Sequence, residues 1–248
     1  MKESNNIDNT RLKRFSNVLM IALLASALAA CGGDNDDNTA EQPVPEPPAP
    51  VSVTYELTIT NLSNAQPLSP VALILHSEGN LWTVGQSASQ ALEQMAEGGQ
   101  TDELRSLDIV LAESSGAAPI GPGGSETITV SINDNTQALL SVATMLVNTN
   151  DGFTGLNAYS LADLGVGDAI SLLTRAYDAG TEVNSEAAGT MPGPADNGEG
   201  FNVTRDDVDF VALHQGVVSA DDGLSNSVLN LAHKFDNPVM RISILRVE

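Results

Sequence analysis

Two segments at opposite ends of residues 53–248 alternate apolar and polar side chains with a period of two. Tyr55-Glu-Leu-Thr-Ile-Thr sets Tyr55, Leu57 and Ile59 on one face, and Met240-Arg-Ile-Ser-Ile does the same with Met240, Ile242 and Ile244. Successive side chains of a strand point to opposite faces, so this period marks strands buried on one side only. Between them, Glu126-Thr-Ile-Thr-Val-Ser-Ile alternates cleanly, while Val71-Ala-Leu-Ile-Leu-His and Leu139-Leu-Ser-Val-Ala-Thr-Met-Leu-Val are continuous apolar runs of strand length, and Phe210-Val-Ala-Leu-His adds another. Helical period is confined to Ser87-Ala-Ser-Gln-Ala-Leu-Glu-Gln-Met-Ala-Glu, with Ala88, Leu92 and Met95 on one face, a capping serine before it and Gly98-Gly99 after it. Asp102-Glu-Leu-Arg-Ser-Leu predicts a second short helix. Strands separated by Gly-, Pro- and Asn-rich turns, with helices limited to one insertion, predict a mainly β protein, an antiparallel β-sandwich with one or two short helices inserted. The 196 residues of 53–248 suit one domain with a sizeable core. Residues 183–200 form a long loop that is either mobile or functional.

The amino-terminal 30 residues read differently. Lys13 and Arg14 precede an apolar run from Phe15, which is followed by Leu28-Ala-Ala-Cys31-Gly32. A charged start, a short apolar core and small residues before a cut describe a secretory signal rather than a membrane span. Leu28-Ala-Ala-Cys31 resembles the bacterial lipobox, in which the cysteine is lipidated and becomes the first residue of the mature chain. Cys31 is the only cysteine, so no intrachain disulfide is possible. Gly32 rather than aspartate after it implies, by the same resemblance, anchoring at the outer membrane of a Gram-negative bacterium. Residues 31–52 carry five prolines and five acids and no aromatic, which predicts an unfolded tether. At about 3.1 Å per residue it reaches roughly 60 Å from the lipid. Asp34, Asp36 and Asp37 lack the glycine and closing glutamate of a calcium loop and belong to this tether.

Removing residues 1–30 leaves 6 Lys and Arg against 30 Asp and Glu, a net charge of −24. Such a field excludes nucleic acid and direct adsorption to anionic lipid, both of which need basic patches. It favours cations or cationic partners.

Four stretches carry a family resemblance: Leu81-Trp82-Thr-Val-Gly85-Gln-Ser-Ala88-Ser89, Asp151-Gly-Phe153-Thr-Gly155, Tyr177-Asp178-Ala-Gly180-Thr-Glu182, and Asn237-Pro238-Val239. In this order they resemble the spondin domain over nearly all of 53–248. The resemblance implies a β-sandwich of C2-like topology, a role in adhesion or recognition, and one calcium ion (Ca2+). Carried over position by position, Asp151, Asp178 and Glu182 would be its carboxylate ligands. Calcium takes six to eight oxygens, so backbone carbonyls and water would complete the shell. The chain departs from the family pattern twice: Gly152 stands where the family has tryptophan, and Glu182 where it has aspartate. Aspartates that cap turns by accepting backbone N–H groups are the alternative for Asp151 and Asp178.

Other groups offer less. His76, His214 and His233 are far apart and lack metal-ligand spacing, which leaves them as structural side chains. Gly85-Gln-Ser87-Ala-Ser89 lacks the second glycine of a nucleophile elbow. Trp82 reads as core, and Asp206, Asp207 and Asp209 as a solvated edge. The sequence therefore predicts no enzyme, but a tethered, calcium-binding recognition module for a protein or polysaccharide of the envelope or exterior. A structural subunit of an envelope assembly is the alternative, and a hydrolase would need a nucleophile that the sequence does not offer.

Overall fold

The structure is a computed structural model that describes residues 51–133 and 138–248. The signal sequence, Cys31 and nearly all of the tether lie outside the described residues. Among the described residues, ten strands form two antiparallel sheets. The smaller sheet contains β1 (Ser52–Asn61), β4 (Ser125–Asn133), β7 (Ala169–Thr174) and β10 (Met240–Arg246), in the order β4-β1-β10-β7. The larger contains β2 (Ala72–His76), β3 (Val110–Ser115), β5 (Leu139–Met145), β6 (Gly152–Ser160), β8 (Ala176–Asp178) and β9 (Ala212–Leu213), in the order β3-β2-β5-β6-β8-β9. Helices α1 (Gln90–Gly98) and α2 (Asp102–Arg105) are the α-helical insertion.

The period-two segments became the centre of the smaller sheet. Strand β1 pairs with β10 from Tyr55↔Arg246 to Asn61↔Met240 and with β4 from Ser52↔Asn133 to Thr60↔Ser125. Its inward residues Val53, Tyr55, Leu57 and Ile59 join Leu73, Leu75, Leu140, Val142, Ile242 and Ile244 in one core between the sheets. Its outward residues are polar, and hydroxyl pairs cross the wet face: Thr54 with Ser131 and Thr58 with Thr127, each at 2.9 Å. Alternation follows from this one-sided burial.

The continuous runs have another cause. In β2, Leu73 and Leu75 face the core between the sheets, whereas Ala72 and Ile74 face a second cluster with Leu92, Met95 and Ala96 of α1 and Leu104 of α2. A strand covered on both faces loses its polar alternation. Helix α1 begins where Ser89 accepts the Leu92 N–H at 3.2 Å, and it ends at Gly99 in the left-handed conformation. The predicted strand at Phe210–His214 shrinks to Ala212–Leu213, at the sheet edge, and leaves Phe210 exposed. Trp82 is in the core, with ring centroids 5.2 Å from Phe153 and 5.5 Å from Tyr177. No described helix is long and apolar enough to cross a membrane.

Candidate functional site

The site lies where β6 begins and β8 ends, because the register pairs Gly152 with Asp178 and Asp178 with Ala212. A tight turn precedes it: Thr149 Oγ1 donates to the Leu146 carbonyl at 2.6 Å and accepts the Gly152 N–H at 2.9 Å. That turn buries Asp151 completely. Gly152 is compelled by its neighbours, since a Cβ there would stand 2.5 Å from Thr149 Oγ1 and 3.0 Å from His214 Cδ2. The position that the spondin pattern gives to tryptophan thus has no room for a side chain, and the His214 ring packs against it.

Asp151 Oδ2 accepts three hydrogen bonds, from Thr181 N at 2.8 Å, Thr181 Oγ1 at 3.2 Å and Glu182 N at 3.1 Å. Its Oδ1 is buried without a hydrogen-bond partner. Hydrogen bonds to a carboxylate favour the charged form, but burial opposes it more strongly and the Asp178 charge adds to burial, so the Asp151 carboxyl is pushed up to about 7. Asp178 is held by the next turn of chain: Oδ1 accepts from Gly180 N at 2.8 Å and Oδ2 from Asn184 Nδ2 at 2.5 Å. Gly180 lies at φ +69°, and a Cβ on it would stand 2.3 Å from the Phe210 carbonyl oxygen.

Glu182 stands apart from this pair. Its Oε1 accepts from Asn150 Nδ2 at 2.9 Å. Burial pushes its carboxyl up to about 7, and the charges that add to the shift are Glu97, Asp206 and Glu199 rather than Asp151 or Asp178. Glu97 is itself buried, with Oε2 accepting from Asn202 N at 2.9 Å and Oε1 unpartnered. The Glu182 carboxylate is thus engaged with Asn150, while the Glu182 N–H joins the donors that hold Asp151. Among the described residues, no group of three or more His, Cys, Asp or Glu side chains is arranged to hold a metal ion.

The 183–200 loop is packed. Asn150, buried and overlooked in the sequence, donates to the Thr190 carbonyl at 3.3 Å and accepts the Glu186 N–H at 3.3 Å. Asp196 accepts from Gly189 N at 2.8 Å and Met191 N at 3.0 Å, and Met191 is buried with Val217 and Leu229 in a small cluster of its own.

A cleft of about 420 Å³ opens beside Asp178. Glu186, Asp207, Phe210, His214 and Val218 also line it. His214 is buried, and the Gly216 N–H donates to its Nδ1 at 3.0 Å. A backbone N–H can only donate, so Nδ1 is the acceptor and the neutral ring carries its proton on Nε2. Burial lowers the His214 pKa, which agrees with a neutral ring. Asp207 is half-buried in this cleft rather than on a solvated edge, while Asp209 pairs with Arg205 at 2.6 Å. His214 and Asp207 were invisible as site residues because nothing in their local sequence tells which distant loops enclose them.

In comparisons with known proteins, no protein-family model matches the chain and no curated protein matches it significantly.

Proposed function

We propose that this protein is a lipid-anchored recognition module of the bacterial cell envelope, held through Cys31 at the outer membrane, whose loop end binds a calcium ion between Asp151 and Asp178 and engages a protein or polysaccharide partner. One observation carries the calcium assignment: Asp151 Oδ1 is buried, without a partner, next to a second carboxylate that takes part in none of the described ion pairs. Two close carboxylates in a low-dielectric site repel, and a divalent cation removes that repulsion. The donor set fits a hard, oxygen-seeking ion, with Asp151 and Asp178 as its carboxylates. Glu182, bound to Asn150, is outside the set in this conformation.

The second function, a structural subunit of an envelope assembly with no ion-dependent role, is favoured by the three hydrogen bonds that Asp151 Oδ2 already accepts. They hold the 181–182 turn without an ion. Thermal unfolding of the full chain in chelator and in millimolar calcium, with Asp178→Asn beside it, separates the two. An ion at about 100 times its dissociation constant adds about 2.7 kcal/mol, or roughly 5–10 °C in Tm for a chain of this size. That shift, lost in Asp178→Asn, is the expected result, and an unchanged Tm would leave the structural function in its place.

A further inference from the structure

The cleft beside Asp178 has properties that ion binding does not use. Its floor is made of groups taken out of water: Glu186 is 2 % exposed and His214 5 %. Glu186 Oε1 accepts the Val218 N–H at 3.1 Å, but Oε2 is buried with no donor. His214 Nε2, which carries the ring proton, is buried with no acceptor. The backbone of Glu186 is held at φ +46°, a left-handed conformation that a side-chain-bearing residue adopts at a cost, and its N–H and carbonyl are both engaged, by Asn150 and by Val228 N at 2.9 Å. The carboxylate is thus fixed at the cleft by a backbone that cannot easily relax. Asp207 adds a third acid beside Asp178 and Glu186, and none of the five ion pairs among the described residues engages any of them.

The rim is of the opposite kind. Val208, Phe210, Leu213 and Val218 line the same cleft, and each is between 41 % and 54 % exposed. An acidic floor, one unmet acceptor, one unmet donor and apolar walls together describe a ligand with a cationic head, an aliphatic stem and a nearby carbonyl. A bare metal ion would leave the walls unused. An anionic polysaccharide would meet like charge on a chain of net charge −22.

We infer that this cleft binds a lysine or arginine side chain presented by a protein partner. The methylene stem lies on Phe210, Leu213 and Val218, as basic side chains commonly bury their stems. The cationic head pairs with Glu186 and Asp207, and a flanking peptide carbonyl accepts from His214 Nε2. This assignment deepens the recognition function and rests on it in taking the protein to be a binding module; its ion pairs use Glu186 and Asp207, outside the proposed calcium set, although Asp178 of that set also lines the cleft.

The test is calorimetric titration of the full chain, in detergent, with acetyl-Gly-Lys-Gly-amide and acetyl-Gly-Arg-Gly-amide, each in chelator and in calcium. The control is acetyl-Gly-norleucine-Gly-amide, which keeps the stem and removes the charge. A basic peptide is expected to bind about tenfold more tightly than the norleucine peptide, with Asp207→Asn and Glu186→Gln each weakening it about fivefold or more. Equal binding of the norleucine peptide, no detectable binding of either basic peptide, or unchanged binding in a folded Asp207→Asn variant would each overturn the assignment. So would a free diamine that bound as tightly as the peptides. Peptide binding with no calcium-dependent Tm shift would overturn the calcium assignment and leave the cleft standing.

Discussion

Asp151 immediately precedes the Gly152–Asp178 strand pair, and its burial, reinforced by the charge of Asp178, holds the Asp151 carboxyl in its neutral form up to about pH 7. Carboxyls in an unfolded chain titrate near pH 4. Between about pH 4 and 7 the folded protein therefore binds more protons than the unfolded one, and stability falls as pH rises through that window. Glu182, also pushed up to about 7, acts in the same direction. In chelator the Tm is expected to rise by several degrees as pH is lowered from 7.5 to 5, and Asp151→Asn should flatten the profile. On the proposed function calcium would bind the charged form and flatten the profile from the other side by raising the Tm at pH 7.5. A Tm that falls on acidification in chelator would contradict this account.

Gly180 is constrained twice, by its left-handed φ and by the Phe210 carbonyl 2.3 Å from where a Cβ would stand. Gly180→Ala is expected to cost about 2–4 kcal/mol, since a backbone atom cannot step aside as a flexible side chain can. Urea unfolding measures the loss. Gly85→Ala, at a positive φ but with open space around it, should cost less.

Arg205 is the counterion of a buried acid. It meets Glu93 at 2.7 and 3.1 Å, and the Glu93 side chain is only 6 % exposed. Arg205→Met leaves that carboxylate buried and unpaired, so a destabilisation of about 3 kcal/mol is expected. Glu93→Leu in the same chain should restore most of it, because it removes the stranded charge. Denaturant midpoints of the two single variants and the double variant close the cycle.

Cys31→Ser is expected to release the protein from the membrane fraction, and metabolic labelling with a fatty-acid analogue should mark the wild type and not the variant. Persistent membrane association of Cys31→Ser would remove lipidation as the anchor.

Much of the fold was legible where burial is one-sided or helical. Tyr55, Leu57 and Ile59 announced β1, and Ser89, Leu92, Met95 and Gly99 announced α1, because local pattern and final environment agree. Strand β6 was not legible. Its Gly152, Gly155 and Asn157 serve close contacts rather than strand propensity: a Cβ on Gly155 would lie 1.9 Å from the Val142 carbonyl oxygen, and Asn157 holds the Leu81 N–H at 2.9 Å and the Trp82 carbonyl at 2.7 Å. The candidate site was half legible. The turn around Asp178 and Gly180 was recognisable from its residues. The direction of Glu182, decided by Asn150, and the presence of Glu186 and His214 in one cleft depend on loops that only the folded chain brings together.

The chain enters the described fold at β1, a strand paired along most of its length on both sides, from Ser52↔Asn133 to Thr60↔Ser125 and from Tyr55↔Arg246 to Asn61↔Met240. A pull on the amino end, directed along β1 and resisted by a partner gripped at the larger sheet, would load both ladders in shear. Their rungs would then have to fail together rather than one after another, as in a peeled edge strand. For the anchored module proposed above, that arrangement would keep the domain folded under load.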